Sequence, residues 1–139
     1  MAAGKDYTKA LKALGAKSAT PARPSRKTLE PFPNPAPGAA YTVRLDCLEF
    51  TSLCPVTGQP DFGRLEIEYA PDALCLESKS LKLYLGSFRN EAAFWEDLMN
   101  RIADDLYAVL KPRWLKLTGV TNPRGAIGIT VTATRGEPE

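Results

Sequence analysis

Cys54 stands in a polar, turn-forming stretch, SLCPVTGQPD (residues 52–61), with Asp61 seven residues on. A thiol reacts as its thiolate, and an exposed loop is where a reactive cysteine is found. A carboxyl group near such a sulfur can deliver a proton to whatever the sulfur attacks. Lys79 and Lys82, three apart in ESKSLKLYLGSFRN (77–90), put two ammonium groups on one helix face, with Glu77 just ahead of them. Two such cations can hold a phosphorylated cofactor. Glu96, in FWEDLMN (94–100), sits beside Phe94 and Trp95. Its carboxylate can accept two hydrogen bonds from a guanine-like edge that carries N–H and NH2. On spacing alone each feature also has a plainer reading. A lone loop cysteine is more often inert, a lysine pair is a solvated helix face, and Glu96 is a surface carboxylate. Cys47 and Cys75 lie in strand-like apolar runs and read as small buried hydrophobes.

The 139 residues contain no histidine and three cysteines. That excludes Ser-His-Asp and Cys-His nucleophile pairs, His-ligated zinc, and a tetrahedral site of four thiolates from one chain. No metal site is expected. An odd, unpaired set of cysteines points away from a disulfide framework and toward a reducing cytoplasm. Hydrophobic residues make up 44% and charged residues 24%, the balance of an ordinary soluble domain. No apolar run approaches a membrane span, and the N-terminus lacks the continuous apolar stretch of a secretory signal. The net charge of +2 is uneven: residues 1–30 carry seven Lys/Arg against two Asp/Glu, the remainder eleven against fourteen. The basic character lies in the N-terminal tail, which reads as a solvated arm, with nucleic acid as the alternative partner.

These side chains need elements to place them. Asp6 to Leu14 has the pattern of a short helix, and six prolines between Pro21 and Pro37 favour extended polyproline that cannot join a central strand. Residues 1–38 therefore read as a mobile or draped arm, and 39–139 as one folded domain. Alternation predicts strands over about Ala40–Phe50 and Phe62–Ala70, separated by a turn-rich loop. Helical spacing predicts one helix over Ser80–Phe88. It predicts a second of about 20 residues, N-capped by Asn90, with Phe94, Leu98, Ile102, Leu106 and Leu110 on its apolar face and closed by Lys111 and Pro112. Strands over Arg113–Val120 and Ala126–Thr134 follow, joined by a turn at Pro123, Arg124 and Gly125. The order ββααββ is an α+β fold, with one helix layer on one face of a four-stranded antiparallel sheet. Two open edges and an uncovered face make such a sheet incomplete alone, so a homo-oligomer is expected.

Taken together and in order, TSLCPVTGQPD, ESKSLKLYLGSFRNE, FWED and NPRG resemble the NADPH-dependent 7-cyano-7-deazaguanine reductases, the nitrile reductases of queuosine biosynthesis, in their short single-module form. The resemblance spans about residues 40–135 and carries several implications. The fold is the tunnelling fold, whose sheets join into an oligomeric barrel, two stacked rings making a decamer, with sites at subunit interfaces. Cys54 is the nucleophile that forms a covalent thioimide, and Asp61 is the proton donor. Leu76, Glu77, Ser78, Trp95 and Glu96 bind the deazaguanine. Ser78, Lys79, Lys82, Arg124 and Gly125 bind NADPH, used twice to reach the aminomethyl product. The substrate is the free base, so no direct tRNA contact is required. One departure is plain: the family usually has histidine just before the substrate-binding glutamate, where this chain has Trp95. Tryptophan can stack on a purine-like ring but cannot shuttle a proton. A related amidinotransferase would form the same thioimide but lacks the ESKSLK signature. A non-catalytic purine- or RNA-binding module is the other alternative, separable by deleting residues 1–38.

Overall fold

The computed structural model describes residues 11–15, 17 and 19–137. Of the short helix expected over Asp6–Leu14, residues 6–10 lie outside the described residues, and 11–14 are not helical, with bends at 12 and 13 and a turn at 14. The elements are β1 (Pro31–Pro33), β2 (Val43–Leu53), β3 (Pro60–Ala70), β4 (Leu74–Leu76), α1 (Ser78–Gly86), α2 (Trp95–Leu110), β5 (Trp114–Thr121) and β6 (Thr130–Gly136), with short 3-10 turns at Arg26–Thr28 and Ser87–Asn90. The main sheet is antiparallel throughout in the order β2-β3-β5-β6. The expected α+β architecture, with two helices on one face of four strands, is the observed one.

The core lies between that sheet and the helices. Leu65, Ile67, Leu115 and Leu117 come from the sheet, and Leu98, Met99, Ile102, Leu106 and Leu110 from α2, all at most 1% exposed. The four-residue recurrence on α2 is the cause: it lines one stripe of the helix with apolar side chains. Phe94, the first of the expected series, is 64% exposed, because α2 begins only at Trp95. Asn90 is not its cap but the end of the 3-10 turn that continues α1. Lys111 ends α2 in the left-handed conformation, φ 47°, just before Pro112, as the sequence implied.

Three boundaries differ for physical reasons. β2 and β3 run on to Leu53 and from Pro60, so the connecting loop is only Cys54–Gln59; Pro60 is tolerated as the first residue of a strand. β2 also carries a bulge between Cys47 and Phe50, which places both residues on the helix side although they are three apart. β6 starts at Thr130 rather than Ala126, since Gly125 and Ala126 both have positive φ and close a tight turn. Two short strands were not expected. Pro31–Pro33 pairs with Leu74–Leu76, and this two-stranded ladder uses prolines where no inner ladder is broken. Leu29 is buried beside it, Arg26 pairs with Asp105, and Arg89 donates to the Pro21 carbonyl.

Gly63 and Gly119 explain how α2 starts so close to the sheet. A Cβ on Gly63 would lie 2.5 Å from the Val120 carbonyl oxygen and 2.8 Å from the Trp95 ring; one on Gly119 would lie 2.1 Å from Met99 Sδ. Trp95 fills the hollow they leave. It donates Nε1–H to the Gly119 carbonyl (3.1 Å) and packs edge-on against Phe50 at 5.5 Å. Gly63→Ala is expected to cost about 1–3 kcal/mol, since the clash is with backbone that cannot yield. A lower urea midpoint at unchanged slope is the measurement.

Candidate active site

The β2–β3 hairpin end holds the expected nucleophile. Cys54 N–H donates to Gln59 O (2.8 Å) and Gly58 N–H to Cys54 O (2.9 Å), with Gly58 at φ +71°. The loop is therefore closed on itself, and glycine is what permits that turn. Cys54 is partly exposed. Its thiol is pulled down to about 7, first by a hydrogen bond from the Thr57 hydroxyl, then by the Thr57 and Val56 amides, with the Arg124 charge helping. Thr57 Oγ1 itself accepts from Gln59 N–H (3.2 Å), which leaves its own proton for the sulfur. Thr57 was absent from the expected site. The signal was there, a hydroxyl three residues after the cysteine in a Pro/Gly loop. Cys47 has the opposite environment: burial, then the charge of Asp46, pushes it up to about 11.

Losing a donor to the thiolate raises the thiol pKa. Thr57→Val is therefore expected to move the midpoint of Cys54 alkylation up from about 7, toward the ordinary thiol value of about 8.5, and Thr57→Ser to keep it low. An unmoved midpoint would reject the assignment.

Asp61 follows Pro60 and pairs directly with Ser52. Its carboxylate forms an ion pair with Arg124. Arg124 is brought there by the tight turn, where its amide bonds Ile127 O (2.9 Å) and the Asn122 amide bonds Phe62 O (2.8 Å). The helix side of this hairpin meets the start of α2. Leu53 N–H donates to Glu91 O (2.9 Å) and Ala93 N–H to Leu53 O (3.3 Å). This short parallel bridge keeps residues 91–94 extended beside Leu53, and Glu96 follows, exposed in the first turn of α2. The stacking expected of Trp95 does not follow from its place in the protomer. The indole is 5% exposed, and its ring is spent on Phe50 and the glycine hollow. Its effect on Glu96 is to anchor the helix turn that carries it.

The other expected residues lie elsewhere. Glu77 caps α1, its two carboxylate oxygens accepting from Lys79 N–H (2.6 Å) and Ser80 N–H (2.7 Å). It is 5% exposed, so in the protomer it orders the Ser78–Lys79 turn. Leu76 is buried next to it, its amide bonded to the Tyr69 hydroxyl. Tyr69 pairs with Val43, at the opposite end of β2 from Cys54. At about 3.3 Å per residue those ends are about 30–35 Å apart. Ser78 and Lys82 line a groove of about 600 Å3 against the Leu45–Glu49 stretch of β2, still about 15 Å short of Cys54 at the same rise. One protomer thus unites Cys54, Asp61 and Arg124, carries Glu96 on the helix that starts from the same hairpin, and holds Glu77, Ser78, Lys79 and Lys82 apart from them.

Among the described residues no group of three or more potential ligands could hold a metal ion, and no helix is long and apolar enough to cross a membrane. The family model described as QueF-like protein matches residues 60–139. A relative from Methylocella silvestris is 57% identical over 125 residues, 90% of this chain and 82% of its own length. One from Anaeromyxobacter sp. (strain K) is 52% identical over 84% of this chain and 95% of its own. One from Nitrosococcus oceani is 52% identical over 85% and 91%. All three are named NADPH-dependent 7-cyano-7-deazaguanine reductase. A crystal structure of the archaeosine synthase QueF-Like in the apo form superposes with a TM-score of 0.65 at 23% identity, covering 70% of this chain and 96% of that one, which bears on the fold alone. With this degree of identity along nearly the whole chain, and a hairpin thiol set beside the paired Asp61, the chain belongs to the QueF-like family.

Proposed function

We propose that this chain reduces the nitrile of 7-cyano-7-deazaguanine to the aminomethyl group with NADPH, in queuosine biosynthesis, through a covalent thioimide on Cys54. The observation that carries the reading is the partly exposed Cys54 thiol, held in a closed hairpin loop beside the Asp61–Arg124 pair and drawn down to about 7. At neutral pH about half of such a thiol is nucleophilic thiolate. Attack forms the S–C bond while one π pair of the nitrile moves to nitrogen and takes a proton. Asp61, within the same hairpin end, carries that proton from thiol to nitrogen. Glu96 presents its carboxylate to the N–H and NH2 of the heterocycle.

The α1 groove is large enough for part of a dinucleotide, and its lining is mixed. Leu81 and Leu85 offer apolar surface, and Ser78 and Lys82 offer a hydroxyl and a cation, while Asp46 and Glu49 line the same groove. Arg124 and Gly125 sit at the nucleophile's end. When bound, NADPH supplies the hydride, twice, so that the nitrile carbon reaches the amine level. Because Cys54 and the α1 residues lie far apart in one protomer, we infer that a neighbouring copy brings its own α1 to each Cys54. A homo-oligomer and a reducing, cytoplasmic setting go with this reading. Incubating the purified protein with the nitrile, then measuring intact mass and mapping the modified peptide, tests it. A substrate-sized mass gain on Cys54, discharged by NADPH with loss of nicotinamide absorbance, is expected. An amidinotransferase would give the adduct but consume no NADPH. No adduct and no NADPH loss would reject the proposal.

A further inference from the structure

Among the described residues, Ser52 Oγ is a fully buried side-chain oxygen with no hydrogen-bond partner. An orphaned buried hydroxyl works against folding, so its position is informative. Ser52 lies two residues before the nucleophile and is the direct cross-strand partner of Asp61. Directly paired residues share a sheet face, with Cβ atoms about 4.5–5.5 Å apart. Asp61 is turned instead to Arg124, on the turn held by the positive φ of Gly125 and Ala126. From one backbone position the Asp61 carboxyl group thus has two partners in range, a half-exposed guanidinium and an enclosed hydroxyl.

We propose that Ser52 is a positioning residue for Asp61, holding the carboxyl group while it carries the proton in transit. This rests on the reading of Asp61 as proton carrier. As carboxylate, Asp61 pairs with Arg124. On taking the Cys54 S–H proton it becomes neutral, and its attraction to the guanidinium falls. The Ser52 O–H then donates to the carbonyl oxygen of the neutral acid, which leaves the acid O–H aimed at the nitrile nitrogen. The C–S bond forms, the π pair moves to nitrogen, the proton follows it, and Asp61 returns to Arg124. One S–H is lost and one N–H is gained, with no net change in electrons.

The test is Ser52→Ala in the full chain, with two rates measured at Cys54: addition to 7-cyano-7-deazaguanine, followed by intact mass, and alkylation by iodoacetamide, which needs no delivered proton. Loss of one hydrogen bond predicts nitrile addition slowed about tenfold, alkylation unchanged, and a melting temperature equal to or above that of the parent. Nitrile addition at the parent rate would overturn the proposal. So would a parallel loss in both rates, which would mark a disturbed Cys54 loop. If the parent chain itself alkylates but forms no nitrile adduct, the reductase reading falls and this proposal with it.

Discussion

Cys54→Ala is expected to abolish both the covalent adduct and NADPH consumption, a loss of roughly 10⁴–10⁶-fold in turnover by analogy with nucleophile removal in other enzymes. The effect is large because no other group can take over. The chain has no histidine, and its other cysteines are Cys47 and Cys75. Cys47 is pushed up to about 11 by burial and by Asp46, so almost none of it is thiolate near neutrality. Cys75 is buried, its sulfur 3.5 Å from the Tyr41 hydroxyl. Peptide mapping of the wild-type adduct should therefore find the added mass on Cys54 alone. Turnover retained in the alanine variant would reject sulfur as the nucleophile.

The second large effect is a gain. Cys54→Ala and Lys79→Ala chains should each be inactive or nearly so, the first for want of sulfur and the second for weakened NADPH binding. If each site takes Cys54 from one copy and α1 from its neighbour, the two variants complement. Refolded together in equal amounts, about a quarter of the sites combine an intact Cys54 with an intact Lys79, so activity should return to about a quarter of the parent level. If both halves came from one protomer, every mixed site would still lack one of them, and no activity would return. Separate titrations complete the test. Lys79→Ala should lose affinity for NADPH and keep it for the nitrile, whereas equal losses for both would make that lysine structural.

Much of this was legible in the sequence, and the reasons differ by element. The alternation Val43-Leu45-Cys47 against Leu65-Ile67-Tyr69 and the fourfold recurrence from Leu98 to Leu110 are local signals, set by which side chains must meet the core. The start of α2 was not legible. Asn90-Glu91 has the composition of a cap, but residues 91–94 stay extended because their backbone bonds Leu53, a partner 38 positions away. The bulge at Leu48 and Glu49 was hidden because it breaks the period without a glycine to mark it. In the site, the Cys54–Asp61 motif could be read directly. The opposite placement of Glu77 could not, since it depends on β4 and Tyr69. Ser52 was unreadable in principle, because its meaning lies in a hydrogen bond it does not make.

An acidic thiol standing alone has a chemical vulnerability. Cys47 is seven positions back along an extended strand, about 20 Å away, and Cys75 belongs to the ladder at the far end of the fold. Neither can come within the 4.4–6.8 Å between Cα atoms that a bridge needs. Peroxide that converts Cys54 to a sulfenic acid would meet no second sulfur in the same protomer to trap that state reversibly, and further oxidation to the sulfinic level is permanent. In this fold, lasting service in aerobic cells would depend on small-molecule thiols such as glutathione.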